Sequence, residues 1–115
     1  MAPTVLAVGL AIRAYGGTKS NRPGIVLRVF EVDGEWWAYV AFGTSEPQSM
    51  TMAPTPVFVD HSTPGDVFTQ LGLDTPTWFT KRGGERMRDN EPSVRIVGVC
   101  PPATLVRVRE LFGFR

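Results

Sequence analysis

The pair Asp33-Gly34 stands between two apolar runs, IVLRVFEV (25–32) and EWWAYVAF (35–42). An Asp-Gly pair accepts positive φ at both central positions of a two-residue turn, and that turn twists with the strands it joins. The two runs therefore predict an antiparallel hairpin on which the rest of the chain must pack. In the second run Trp36, Ala38, Val40 and Phe42 fall on one face, and Trp37, Tyr39 and Ala41 on the other. Neither face suits bare solvent. One should line the core, and the other should meet a second layer of the same domain, a partner subunit or a ligand.

The flanking segments read as more short strands. Val5–Tyr15 is apolar around Gly9, which predicts a strand with a bulge or a close backbone approach there. Residues 15–21 (YGGTKSN) form a loop, and 43–56 is irregular. Val57–Val59 predicts a short strand. Thr63-Pro64 reads as a capped helix start, and Gly72 stops that helix after Leu71. Thr75–Thr80 is extended, KRGGERMRDNEP (81–92) reads as a polar, mobile loop, and Ser93–Val99 as a strand. Pro101 and Pro102 open a terminal helix with an apolar stripe of Leu105, Val108 and either Leu111 or Phe112. Five or six short strands with two helices predict a mainly β, α+β fold. The natural arrangement is a small, bent antiparallel sheet closed into a barrel, with the C-terminal helix over one end.

Residues 1–115 suffice for one domain with one modest core. The single cysteine, Cys100, excludes an internal disulfide and a four-ligand zinc site, and reads as a small buried hydrophobe. His61 is the only histidine, which removes His-cluster metal sites and two-histidine acid–base chemistry; its setting reads as an exposed loop. No phosphate-loop motif or nucleophile elbow occurs. The apolar start is short, lacks a preceding basic region and fits a strand better than a signal peptide, so a cytoplasmic location with no membrane span is expected. Charge is uneven: residues 1–30 carry +4, 31–80 carry −7 and 81–115 carry +4. If folding keeps these blocks apart, one face would suit phosphates and another a basic partner.

Arg22 is held where a loop becomes a strand, because Pro23 biases it toward an extended backbone. A hairpin centred on Asp33-Gly34 pairs Arg22 formally with Ser45 and Gly24 with Gly43, subject to a slip of one at any bulge. Arg22, Thr44 and Ser45 then share the open end of the hairpin, with Lys19 nearby. A guanidinium fork beside two hydroxyls matches a phosphate; the same residues also fit an ordinary hairpin end.

The chain resembles the MazF/PemK family of toxins of bacterial toxin–antitoxin systems, especially the prophage and phage variants. The resemblance lies in a glycine-containing loop leading to RPGIVL, in VAFGTS, in LGLDTPTWF and in VGVCPPATLVRVRELF, and covers nearly the whole chain. It implies an SH3-like barrel, usually a homodimer, acting as a metal-independent endoribonuclease on single-stranded RNA without a cofactor. The products would be a 2′,3′-cyclic phosphate and a 5′-OH. The family's catalytic arginine and threonine would fall on Arg22 and Thr44, with Lys19, Asn21 and Ser45 contacting the RNA. An acidic antitoxin or a host protein would be the protein partner.

Two other classes fit the residues. A non-catalytic SH3-like module, such as a phage inhibitor of a host nucleic-acid-binding defence complex, would use the acidic block through Glu31, Glu35 and Glu46. A structural domain would self-associate through the second aromatic face of the 35–42 strand.

Overall fold

Asp33 and Gly34 adopt φ of 51° and 83°, positive at both central positions of the turn, and join β2 (Arg22–Val32) to β3 (Glu35–Thr44) as the sequence predicts. A computed structural model describes residues 5–15, 21–46 and 55–114 of the chain. The loop carrying Lys19 and the middle of the irregular 43–56 stretch lie outside the described residues. The other strands are β1 (Leu10–Ala14), β4 (Val57–Val59), β5 (Thr77–Arg88) and β6 (Val94–Val99). They form one antiparallel sheet in the order β4-β5-β3-β2-β1-β6.

The fold is mainly β with two helices, but the sheet is not closed into a barrel. No ladder joins its edges, β4 and β6, among the described residues. The short helix α1 (Val67–Gln70) follows β4, and its end packs on β6 instead. The Gln70 carbonyl lies where a side chain on Gly98 would project, and Gly72 backs onto Val97. The end of α1 thus packs against a face of β6, the strand that a closing ladder would have to pair with β4.

Both faces of the sheet bury apolar side chains. On one, Ala11, Ile25, Leu27, Ala41 and Phe79 pack with α1 and with α2 (Pro102–Leu111). On the other, Ile12, Val26, Ala38, Val40 and Phe42 pack with Leu6 from the N-terminal segment. The second face of β3 is covered by its own chain: Phe112 and Phe114 meet the Tyr39 ring edge-on, with centroids 5.6 and 5.4 Å away. The α2 stripe is as expected, with Val108 and Leu111 buried and Leu105 and Phe112 partly so.

Three local expectations are corrected. Residues 81–88 are the second half of β5, pairing with β3 from Trp37↔Arg88 to Ala41↔Gly84, not a loop. Gly83 and Gly84 make that possible, because a side chain at either would strike the Phe42 carbonyl or the Tyr39 ring. Helix α1 begins at Val67 with Asp66 in the left-handed region ahead of it, whereas Thr63 Oγ1 accepts from the Asp60 backbone N–H at 2.9 Å and belongs to the preceding turn. The first strand starts at Leu10 rather than Val5. Gly9, at φ 94°, turns the chain there; its N–H donates to the Val26 carbonyl and its own carbonyl accepts from the Cys100 N–H.

Candidate anion-binding cleft

The β2–β3 ladder slips by one residue between Val26 and Arg28. Beyond the slip the pairing runs Val26↔Val40, Ile25↔Ala41 and Gly24↔Phe42. Continued by two residues, it sets Arg22 opposite Thr44 rather than Ser45. A strand's side chains alternate between faces, so Arg22 and Thr44 project to the same side at the open end of the hairpin.

There the chain forms a cleft of about 210 Å³ lined by Arg22, Thr44 and Ser45 on the hairpin and by Arg13, Asn21 and Asp74 beside it. Arg22 is half-buried; its Nη2 makes one long hydrogen bond to the Gly43 carbonyl at 3.5 Å, and its guanidinium lies 5.6 Å from the centre of the Phe42 ring. No carboxylate among the described residues comes within 4.0 Å of it. A guanidinium carries five N–H donors, so most of them remain for a ligand. Thr44 Oγ1 accepts from the Glu46 backbone N–H at 3.2 Å, which fixes the hydroxyl at the strand end and leaves its own O–H to donate.

Arg13 is the cleft-lining side chain that sequence reasoning missed. It lies in β1 and is only 7% exposed. Its Nη1 donates to both the carbonyl and Oδ1 of Asn21 at 3.1 Å, its Nη2 donates to the Gly72 carbonyl at 2.8 Å, and the exposed Asp74 carboxylate stands 4.0 Å away. Arg13 therefore ties together three segments that wall the cleft, and adds a second cation beneath it. The signal was present: a charge inside the otherwise apolar LAIRA strand must find oxygen partners once buried.

Of the residues expected to touch a ligand, Arg22, Thr44, Ser45 and Asn21 meet at one cleft. Asn21, at φ 58°, uses its side-chain oxygen to hold Arg13. Lys19 is outside the described residues. The acidic block is dispersed: Glu31, Asp33 and Glu35 sit at the far tip of the hairpin, where Glu35 pairs with Arg88 at 3.0 Å, and Asp74 sits at the cleft. His61 is exposed, with its ring 4.0 Å from that of Phe68.

A larger depression of about 460 Å³ lies at the end of α2, lined by Val106, Arg109, Glu110, Gly113 and Phe114. Its arginine serves the fold: Arg109 Nη1 donates to the Leu27 carbonyl at 2.7 Å and the guanidinium rests on Phe114. The smaller cleft instead groups two arginines, Arg13 and Arg22, with the hydroxyls of Thr44 and Ser45. Among the described residues no three of His, Cys, Asp and Glu gather as a metal-binding group, and no helix is long and apolar enough to cross a membrane.

Comparison with protein families, with characterised proteins and with solved structures finds no match to this chain.

Proposed function

We propose that the chain is a metal-independent endoribonuclease that cleaves single-stranded RNA at the Arg22–Thr44 cleft, in the manner of the MazF/PemK toxins its sequence resembles. The observation that carries this reading is the convergence of Arg22, Thr44 and Ser45, from two strands, on one cleft in which Arg22 has no carboxylate partner among the described residues. In the reaction the ribose 2′-oxygen attacks the adjacent phosphorus and the P–O5′ bond breaks. The 2′-OH proton leaves, and the departing 5′-oxygen takes one up. Products are a 2′,3′-cyclic phosphate and a 5′-OH, so no water nucleophile is consumed. Negative charge grows on the non-bridging phosphate oxygens in the transition state. Arg22 neutralises it and assists proton movement, and Thr44 and Ser45 donate hydrogen bonds to those oxygens. The donors are held by a sheet and reorganise little as the charge develops.

On this reading the protein works in the cytoplasm as a homodimer, slows growth by cutting RNA, and is restrained by an acidic antitoxin or a host protein.

The test is incubation of purified protein with a long mixed-sequence RNA in EDTA. Arg22→Ala and Thr44→Ala should each lower the cleavage rate by roughly a hundred-fold or more while leaving the circular dichroism spectrum unchanged. Fragments should end in cyclic phosphate. Retained cleavage in both variants would remove the assignment; tight RNA binding by the wild type without any cleavage would make the chain a binding module.

A further inference from the structure

Trp78 is the register partner of Thr44 across β3–β5, and Phe58 is the partner of Trp78 across β5–β4. With Arg22 opposite Thr44, the four residues form one row across four neighbouring strands, all on the same face of the sheet. The alternate residues on β4 and β5, namely Val57, Val59, Thr77 and Phe79, are buried on the opposite face. Trp78 is half-buried and Phe58 is 36% exposed; their ring centroids lie 4.4 Å apart with planes inclined by 38°. Two large aromatic rings thus lie at the edge of that face, outside both buried clusters of the core.

We propose that Trp78 and Phe58 form a stacking platform for an unpaired nucleobase of the RNA strand whose phosphate sits between Arg22 and Thr44. The inference rests on the ribonuclease reading for the identity of the ligand. Neighbouring strands are about 4.8 Å apart, so the indole stands one strand, and the phenyl ring two, from the hydroxyl that meets the phosphate. That places a π-surface within reach of the base borne by the adjoining ribose. Single-stranded RNA offers splayed bases for such a surface, whereas a duplex keeps them stacked. The platform selects single strands without reading sequence, because every base has a π-face. Charge-based and stacking contacts are divided along the row: cation and hydroxyl at one end, aromatic rings at the other.

The experiment uses a short 2′-O-methylated single-stranded RNA, which lacks the attacking hydroxyl, and the same strand carrying abasic residues. Binding of both is followed by fluorescence anisotropy. Trp78→Leu and Phe58→Leu should each weaken binding of the intact strand by roughly five- to a hundred-fold, leave the abasic strand unaffected and leave the salt dependence unchanged. Trp78→Phe should retain most of the affinity. The abasic strand tests the wild type with no change to its fold. Equal binding of intact and abasic strands by the wild type overturns the platform, as does a Trp78→Leu variant that loses affinity for both strands alike. Cleavage of the unmethylated strand is scored separately. Base-dependent binding without cleavage overturns the ribonuclease and keeps the platform. Arg22-dependent cleavage with base-independent binding does the reverse, and no binding at all overturns both.

Discussion

Arg13 grips Asn21 twice, through the Asn21 carbonyl and through its Oδ1, each 3.1 Å from the same guanidinium nitrogen. Asn21 sits in the left-handed region at φ 58° and directly precedes Arg22. A buried cation on one strand therefore sets the direction in which the next strand presents its own cation to the cleft.

This grip separates conformational from hydrogen-bonding roles at Asn21. Asn21→Gly keeps the backbone geometry and loses one charge-assisted hydrogen bond, for about 1.5 kcal/mol. Asn21→Ala loses the same bond and adds roughly 1 kcal/mol of left-handed strain. Urea denaturation should rank wild type above Gly above Ala. Equal midpoints for Gly and Ala would mean that the backbone at Asn21 is not constrained by Arg13.

The N-terminal segment is fastened by a second buried charge. Asp89 accepts hydrogen bonds from the backbone N–H groups of Val5 and Leu6 at 2.6 and 2.7 Å, and Leu6 is 2% exposed. Asp89→Asn turns an amide NH₂ toward one of those donors or leaves it unmatched, at a cost of about 2–4 kcal/mol. The Leu6 amide should then exchange with solvent much faster than in the wild type. Unchanged protection of that amide would show that Leu6 is held by packing alone.

The elements that could be read from the sequence are those whose signal is local. The Asp33-Gly34 turn requires positive φ twice and shows it, and the α2 stripe has helical spacing. Register arithmetic from that turn brought Arg22 to Thr44 and Ser45, missing only the one-residue slip near Leu27, because a bulge inside an apolar run leaves no mark on composition. What failed were features set by distant partners. KRGGER looks like a loop because it is polar and glycine-rich, yet its glycines serve close approach to Phe42 and Tyr39, which are distant in the chain. Arg13 looked like an interruption of a strand, and its oxygen partners come from Asn21 and Gly72. Barrel closure was not legible either, because whether β4 and β6 pair depends on strands far apart in the chain and nothing local to either marks it.

The two kinds of glycine should respond differently to substitution. At Gly83 a new Cβ meets the Phe42 carbonyl, and at Gly84 it meets the Tyr39 ring and Phe112. Alanine at either position should cost about 1–3 kcal/mol through displaced backbone or rings. Gly34, at φ 83° with no atom within 4 Å of an added Cβ, should accept asparagine for less than about 1 kcal/mol. Thermal unfolding of the three variants decides it: a tolerated Gly83→Ala would mean that β5 does not approach β3 so closely.

Cys100 gives a pH dependence with a definite sign. The thiol is 2% exposed, and burial pushes its pKa up to about 12. In the unfolded chain a thiol ionises near about 8.5. Below that pH both states hold the proton and the group leaves stability unchanged. From there up to about 12 the unfolded state holds fewer protons, so the stabilisation by the protonated thiol is lost as pH rises. Cys100→Ala should flatten this alkaline decline. The native thiol should also resist an aromatic disulfide reagent at neutral pH and react on unfolding; rapid native reaction would contradict its burial.

Asp74 tests the electrostatics of the cleft itself. Its side chain is 73% exposed, it lines the same cleft as Arg22, and its carboxylate stands 4.0 Å from the Arg13 guanidinium. With the carboxylate largely in solvent and Arg13 already held by the Asn21 and Gly72 oxygens, the pair contributes about 0–1 kcal/mol to stability, so Asp74→Asn should fold normally. A phosphate seated against Arg22 is repelled by that carboxylate, and removing the charge should strengthen binding of a 2′-O-methylated RNA by about two- to five-fold at low salt. The gain should fade as salt rises. Arg22→Ala should weaken the same binding and reduce the steepness of its salt dependence by about one phosphate contact. An Asp74→Asn variant that binds RNA no better than wild type at low salt would place the phosphate away from Arg22, and the cleft would lose its claim to be the RNA site.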